Sequence, residues 1–395
     1  MGKIIAVNAG SSSLKFKIFE MPEEKMICSG IADRIGHENG FFEVKFQGQK
    51  YRITLPLLDH SAAVAVLVKS LIEQKVIASY DEITAVGHRI VQGGKYYSTS
   101  IILTPEVEKI IESLIPLAPL HNKPNLLGYQ AFKKVLPNIK HIAVFDTAFH
   151  QTMEIQDFLF PIPYEYYEKY DLRRYGFHGT SHKYLNLEAH KLFPQKKHLR
   201  IVTAHLGSGC SIAAIKDGKV VATSMGLTPL GGIMMGTRTG DIDPSVLHFA
   251  ALRDNKTPEQ IYEIFNKKSG LLGISGLSND TRDLEAAHLA GHEKAMLANQ
   301  LFVRRIADFI GQYFVRLGGL DLIVFSAGVG ENSGFYRQLI LTEIEEALGL
   351  DYDHALNAKV RGVTTIISKP TSKIAIAVIP TDEELMIVRD TQLLI

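Results

Sequence analysis

Residues 4–20 read IIAVNAGSSSLKFKIFE. An apolar, β-branched run from Ile4 to Val7 breaks at Asn8-Ala9-Gly10-Ser11-Ser12-Ser13 and resumes as the alternation Leu14-Lys15-Phe16-Lys17-Ile18. Alternation of apolar and polar residues marks a half-buried strand, and a polar, glycine-bearing break between two such runs marks a hairpin. The pattern returns in residues 199–226, LRIVTAHLGSGCSIAAIKDGKVVATSMG, where Gly207 answers Gly10 and Asp217-Gly218 supplies a second hairpin turn. A repeat of this kind about half a chain apart predicts two related domains, each opening with strand, polar turn and strand.

Between the repeats, helical and strand patterns alternate. Residues 61–77 have helical periodicity, residues 82–94 read as a strand ending in a turn, and residues 139–150 as a buried strand running into polar residues. Ala298, Phe302, Ile306, Phe309, Ile310, Tyr313, Phe314 and Leu317 keep a helical period that stops at Gly318-Gly319. The strand LDLIVF and the glycine-rich turn GVGENS follow. This alternation predicts an α/β protein with helices covering the sheets. The proline- and tyrosine-bearing stretch after His150 has no clear period and places the domain boundary at its start.

Composition narrows the function. The chain has 395 residues, 46% hydrophobic and 22% charged, with a formal net charge of +1. No global field draws it to nucleic acid or to an anionic membrane, so neither is expected as a partner, and any anion must be held by local groups. No apolar run reaches the roughly 18 residues of a membrane span. The first residues carry Asn8, Gly10 and three serines where a signal peptide would have its cleavage site. Two cysteines, Cys28 and Cys210, make neither a disulfide framework nor a metal cluster. A cytoplasmic location is expected.

Polar residues collect where apolar strands end: Asn8 and Ser12, His88-Arg89, Asp146, His205 and Ser208, and Gly328 to Asn332. In open α/β sheets ligands bind at those ends. Glycine-rich turns after strands can cradle phosphate oxygens with backbone N–H groups. Two standard phosphate fingerprints are nevertheless missing: Gly94-Lys95 is followed by Tyr96, and Ser333 stands where a third dinucleotide-binding glycine belongs. A dinucleotide enzyme remains an alternative on these features alone, with Asp351 as its ribose-binding acid. His178 and His182 have a spacing that suits zinc on a helix, but Gly179-Thr180-Ser181 reads better as a turn or helix cap. GHRIVQGG and MGTRTGDIDP each set one arginine among glycines, a group suited to the charge on a moving phosphoryl. Asp146, directly after an apolar run, needs a partner or a cation. In PTDEELMIV, Thr381 is expected to cap the last helix in a box with Glu384, leaving Glu383 in its first turn.

Ten motifs from residue 8 to residue 384, in order, resemble those of the acetate kinases, within the larger group of acetate and sugar kinases, heat-shock chaperone ATPases and actin. They are NAGSSSLKF, GHRIVQGG, LAPLHNKPN, VFDTAFHQTM, RRYGFHGTSH, AHLGSGCS, GLTPLGG, MGTRTGDIDP, SAGVGENS and PTDEEL. The resemblance implies a duplicated ribonuclease H-like fold around an ATP cleft, with domains 1–150 plus 383–395 and 151–382. It implies a homodimer performing reversible, magnesium-dependent phosphoryl transfer between ATP and acetate, with manganese as a substitute metal.

The resemblance also implies site residues. Arg89 and Arg238 match the arginines on the carboxylate and phosphoryl group, Asp146 the essential aspartate, and His178 and His121 the active-site histidines. Asn8 and Glu383 match the positions that organise the metal, and Val91, Leu120, Phe177 and Pro229 the acetate pocket. Nucleotide contacts map to Lys15, His205, Gly207, Ser208, Gly209, Asp280, Thr281, Arg282, Gly328, Gly330, Glu331 and Asn332. Ser208 and Thr281 depart from the family's usual residues, as do Gln92 and Gly231. Propionate or butyrate kinase is the near alternative, and an actin- or chaperone-like nucleotide-gated binding protein the alternative of another class.

Overall fold

A computed structural model describes residues 2–395 and divides them into two compact units, residues 2–149 with Asp382–Ile395, and His150–Thr381. In the first unit β1 (Gly2–Ala9), β2 (Ser13–Met21), β3 (Lys25–Asp33), β4 (Phe41–Phe46) and β5 (Gln49–Thr54) form an antiparallel meander. β6 (Ile83–Ile90), β7 (Ile101–Ile102) and β8 (Lys140–Phe145) complete a sheet of order β5-β4-β3-β2-β1-β6-β8-β7, in which β1, β6 and β8 run parallel. The second unit holds β9 (Arg200–Leu206), β10 (Cys210–Lys216), β11 (Lys219–Thr223), β12 (Leu322–Ser326), β13 (Thr365–Ile366) and β14 (Ala375–Val378). Their order is β11-β10-β9-β12-β14-β13, with β9, β12 and β14 parallel. The run β3-β2-β1-β6-β8 thus has the same order and strand directions as β11-β10-β9-β12-β14, which is the duplication foreshadowed by the two hairpins.

Each hairpin tip follows from local chemistry. Gly10 N–H donates to the Ser13 carbonyl at 2.7 Å, and His60 Nε2 donates to the Gly10 carbonyl at 2.8 Å. Ser11 and Ser12 stay exposed. Asp217 and Gly218 have φ of 51° and 77°, the left-handed pair that a two-residue hairpin turn requires. Along β2 the alternation is realised: Leu14, Phe16 and Ile18 are buried while Lys15 and Lys17 face outward.

The first sheet is covered on both faces. Helices His60–Glu73 and Asn122–Val135 pack on one side over Leu14, Phe16 and Ile18. Helix Glu383–Gln392 packs on the other, where Ile387 and Val388 meet Ile4, Ala85 and Val144. Fully burying each such side chain contributes about 1.5–3 kcal/mol. Gly87 in β6 is small for this reason: a Cβ there would lie 2.3 Å from Thr391 Oγ1 and 2.6 Å from Ile387 Cγ2. In the second unit, helix Glu293–Leu317 buries Ala298, Phe302, Ile306, Ile310, Tyr313 and Leu317, half-buries Phe309 and Phe314, and ends on Gly318 at φ 68°.

The strand within 82–94 ends in a turn as expected, stopping at Ile90 because the following N–H groups are taken by side chains. Two other local expectations are corrected. Residues 327–332 form a short helix, Ala327–Asn332, instead of a turn. Asp382, not Thr381, caps the last helix: its carboxylate accepts from Leu385 N–H at 3.1 Å. Thr381 is engaged elsewhere, its N–H donating to Glu331 at 3.0 Å and its hydroxyl 2.8 Å from that of Ser181.

Candidate active site

Three parallel strands of the first unit end in polar groups. Val7 lies opposite His88 and Ile90 opposite Phe145, so Asn8, Arg89 and Asp146 all sit at the same edge of the sheet. Arg89 grips Asp146 with two prongs, Nε at 3.0 Å from Oδ1 and Nη2 at 2.6 Å from Oδ2. Such bidentate, charge-assisted pairs fix geometry as well as charge. Gly87 and Arg89 share one face of β6, and Glu383 lies one helical turn before Ile387, so the Gly87–Ile387 contact brings Glu383 toward Arg89. Burial works against the Arg89 charge, yet Asp146, Glu383 and Glu384 outweigh it and raise its pKa. Glu383 keeps some contact with solvent but is pushed up to about 7, first by burial, with Arg89 opposing and Asp146 and Glu384 adding to the rise.

His88, on the opposite face of β6, belongs to the core. Its Nε2 lies 3.0 Å from His141 Nδ1, and burial, with His141 adding, holds it neutral. His121 occupies the position just before helix Asn122–Val135. Lys15 is exposed opposite Asn8 on the hairpin. Val91 is buried and Leu120 is 65% exposed.

In the second unit, His178 takes φ 56° immediately before helix Gly179–Leu192. That conformation turns its ring toward β9 and β10, where it stacks on His205 with ring centres 4.1 Å apart. Ser211 Oγ is 2.8 Å from both His178 Nδ1 and His182 Nε2, and Thr203 Oγ1 is 2.7 Å from His182 Nδ1. Both ring nitrogens of His182 are therefore spent on hydroxyls. Burial, with His150 and His205 adding, holds His182 neutral. A Cβ on Gly209 would lie 3.3 Å from His178 Nε2 and 3.6 Å from Arg238 Nη1, so two donors converge on this glycine turn. Arg238 bonds only to the Pro229 carbonyl and Met235 Sδ, and among the described residues no carboxylate pairs with it. Burial lowers its pKa, with Cys210 and Tyr262 opposing. A half-buried guanidinium without a counter-ion is suited to an anionic ligand. Phe177 is buried beside His178, its carbonyl accepting from His150 Nε2 at 2.9 Å.

A cavity of about 530 Å³ in this unit gathers Gly207, Ser208, Asp280, Thr281, Arg282, Gly328 and Asn332 from three separate segments. Asp280 caps helix Thr281–Leu289 and is lowered to about 2, chiefly by the Arg282 side chain and then by the Arg282 N–H. Asn279, Glu285, Val329 and Ser333 also line the cavity and were not anticipated. Glu285 follows Arg282 by three residues on the same helix, a spacing that could have indicated it. Gly330 and Glu331 do not line it. Gly330 is buried against Phe325, and the Glu331 carboxylate accepts from Ala327 N–H at 2.7 Å and from Thr381 N–H.

Two departures gain a physical account. Gln92 Oε1 accepts from Gly94 N–H at 2.9 Å and braces its own turn. Gly231 lies where a Cβ would come 3.2 Å from Asp241 Oδ1, the oxygen that also accepts from Gly232 N–H at 2.7 Å. Among the described residues no three of His, Cys, Asp and Glu are grouped as a metal cage. A hard cation that keeps most of its waters needs only one or two carboxylates.

Similarity to known proteins runs the length of the chain. The model of the acetokinase family matches residues 3–389. The acetate kinase of Anoxybacillus flavithermus is 50% identical over 391 residues, covering 99% of this chain and 98% of that protein. Acetate kinase 2 of Listeria monocytogenes is 49% identical over 393 residues, with the same coverage. Among solved structures, Porphyromonas gingivalis acetate kinase superposes with a TM-score of 0.95 at 43% identity, over 100% of this chain and 99% of that one. A propionate kinase from Francisella tularensis gives 0.94 at 38% identity, over the whole of both chains. Two sheets of like topology, a full-length match to the family and a fold that superposes on its solved members lead to one conclusion: the chain belongs to the acetokinase family.

Proposed function

We propose that the protein transfers the terminal phosphoryl group of ATP reversibly to the carboxylate of acetate, giving acetyl phosphate and ADP. The observation that carries this reading is Arg238, a guanidinium without a carboxylate partner among the described residues, aimed with His178 at the Gly209 turn. A carboxylate oxygen bonds to the terminal phosphorus as the bond to the bridging oxygen breaks, and the electron pair leaves with ADP. Charge on the equatorial oxygens is met by Arg89, Arg238 and His178, and no enzyme residue is phosphorylated. The nucleotide occupies the 530 Å³ cavity. Val91, Leu120, Phe177 and Pro229 line the acyl pocket, and His121 and Lys15 contribute further polar contacts.

Magnesium, or manganese in its place, would be held through Asn8, Glu383 and water. The donors are all oxygen, as a hard cation requires, and Glu383 stands among carboxylates whose repulsion a cation relieves. When bound, the metal neutralises phosphate charge. The protein is read as a cytoplasmic homodimer. Its two cysteines are unpaired and buried, and no helix among the described residues is long and apolar enough to cross a membrane. Helix Pro244–Asp254 has no buried residue and presents Val246, Phe249 and Leu252 at 46, 61 and 65% exposure, a face suited to a second copy.

The test is ATP and magnesium with acetate, propionate or butyrate, trapping acyl phosphate with hydroxylamine. Acetate is expected to give the highest kcat/KM. A higher value for propionate reassigns the acceptor, and no acyl phosphate with any of the three sinks the kinase reading.

A further inference from the structure

The chain leaving β6 is held by side chains at four consecutive N–H groups. Val91 N–H donates to Asn125 Oδ1 at 3.1 Å, Gln92 N–H to Asn122 Oδ1 at 2.9 Å, Gly93 N–H to Thr147 Oγ1 at 3.0 Å, and Gly94 N–H to Gln92 Oε1 at 2.9 Å. The two asparagines return a bond each: Asn122 Nδ2 donates to the Gln92 carbonyl at 2.9 Å, and Asn125 Nδ2 to the Ala9 carbonyl at 2.7 Å. Asn122, Asn125, Gln92 and Thr147 are all at least 97% buried. The buried amides of Asn122 and Asn125 and the Thr147 hydroxyl are engaged, Gln92 Nε2 alone of this group finding no partner among the described residues, and a loop needing no fixed position would leave its N–H groups to water.

What the network joins matters more than its size. Ala9 follows Asn8, Val91 stands two residues beyond Arg89, and Thr147 follows Asp146. Each strand end bearing a polar site residue in this unit is thus tied to the same buried cluster. Asn125 spans two of them with a single amide, its oxygen on the Val91 segment and its nitrogen on the Ala9 segment. We propose that Asn125 is a positioning residue that sets the place of Val91 and the spacing of the β1 and β6 ends, and through them the fit of the acyl substrate. This rests on the kinase reading above.

Asn125→Asp tests it closely. The variant keeps the oxygen that accepts from Val91 but replaces the donor to Ala9 with an oxygen that repels that carbonyl. Asn125→Ser, which reaches neither partner, is the second variant should the first fail to fold. The acetate KM is expected to rise at least tenfold while the nucleotide KM stays within twofold, and the acetate to propionate ratio of kcat/KM is expected to change severalfold. In hydrogen exchange, the Val91 amide is expected to lose protection in Asn125→Ser, which withdraws its acceptor, while Val86, inside β6, keeps it. A folded variant with unchanged acetate KM and ratio overturns the proposal, as does unchanged protection at Val91 in Asn125→Ser. Wild-type protein inactive on every short carboxylate would sink the kinase reading instead, leaving the positioning claim to be judged on exchange alone.

Discussion

Arg89 Nη2 lies 2.6 Å from Asp146 Oδ2, forming an ion pair across the ends of two adjacent parallel strands, with the aspartate 1% exposed. Arg238, the other candidate phosphoryl-binding arginine, has no such partner among the described residues. The two should therefore fail differently. Arg89→Ala strands a buried carboxylate, so it is expected to cost about 3–5 kcal/mol of stability as well as activity. Arg238→Ala removes a charge that burial already disfavours, so its Tm should hold or rise. Both should lose turnover by a factor on the order of a thousand or more. Thermal melts beside steady-state kinetics check this, and equal losses of Tm would contradict the contrast.

Glu383 gives a pH signature. Its pKa in the folded protein, about 7, lies above the ordinary 4.5, so between those values the folded protein binds more protons than the unfolded chain. Its contribution to stability is whole below about pH 4.5 and is lost as pH rises toward 7. Glu383→Gln removes that dependence, and the Tm of the variant minus that of wild type should grow from pH 5 to pH 7 without metal. Magnesium binding needs the ionised carboxyl, so in wild type it should tighten over the same window. A flat Tm difference would mean that Glu383 is ionised throughout.

The Glu331 carboxylate, expected on the nucleotide, is instead a brace for Ala327, whose φ is 62°, and for Thr381. Glu331→Ala should cost about 1–3 kcal/mol through the two unsatisfied N–H groups. It should raise the nucleotide KM severalfold, because Gly328, Val329 and Asn332 sit on the braced segment. The acetate KM should not move. Kinetics with each substrate varied in turn distinguish this from a direct contact, which would leave the melting temperature intact.

Much of this site could be read from residue order because strand ends are local features. Asn8, Arg89 and Asp146 each follow an apolar run, and a parallel sheet aligns such ends whatever the rest of the chain does. Asn122 and Asn125 could not be read in this way. Their partners lie 30 to 116 residues away, and only the packing of helix Asn122–Val135 brings them together. The last helix was misplaced by one residue because Thr381 and Asp382 are both good caps. The choice fell to the Ser181 hydroxyl and the Glu331 carboxylate, which claim Thr381 from distant parts of the chain.

Val91 tests the acyl pocket. Val91→Ala frees space beside the segment that carries Arg89, and a methylene that finds apolar surface gains about 0.8 kcal/mol. The kcat/KM ratio should therefore move toward propionate by a few-fold, mainly through KM. A ratio unchanged from wild type, with both acids still turned over, would remove Val91 from the pocket.

Helix Glu383–Gln392 has a consequence for how the molecule is made. All eight strands of the first sheet have been translated once Phe145 is added, but the helix that covers β1 and β6 arrives only about 250 residues later. At ordinary elongation rates that interval lasts on the order of 10–50 s. Throughout it Ile4, Ala85 and Val144 lack their cover and Gly87 leaves a groove with nothing in it. The nascent chain must be shielded or stay loose until that helix emerges, so one late segment supplies both the missing cover of the sheet and, with Glu383, the proposed metal site.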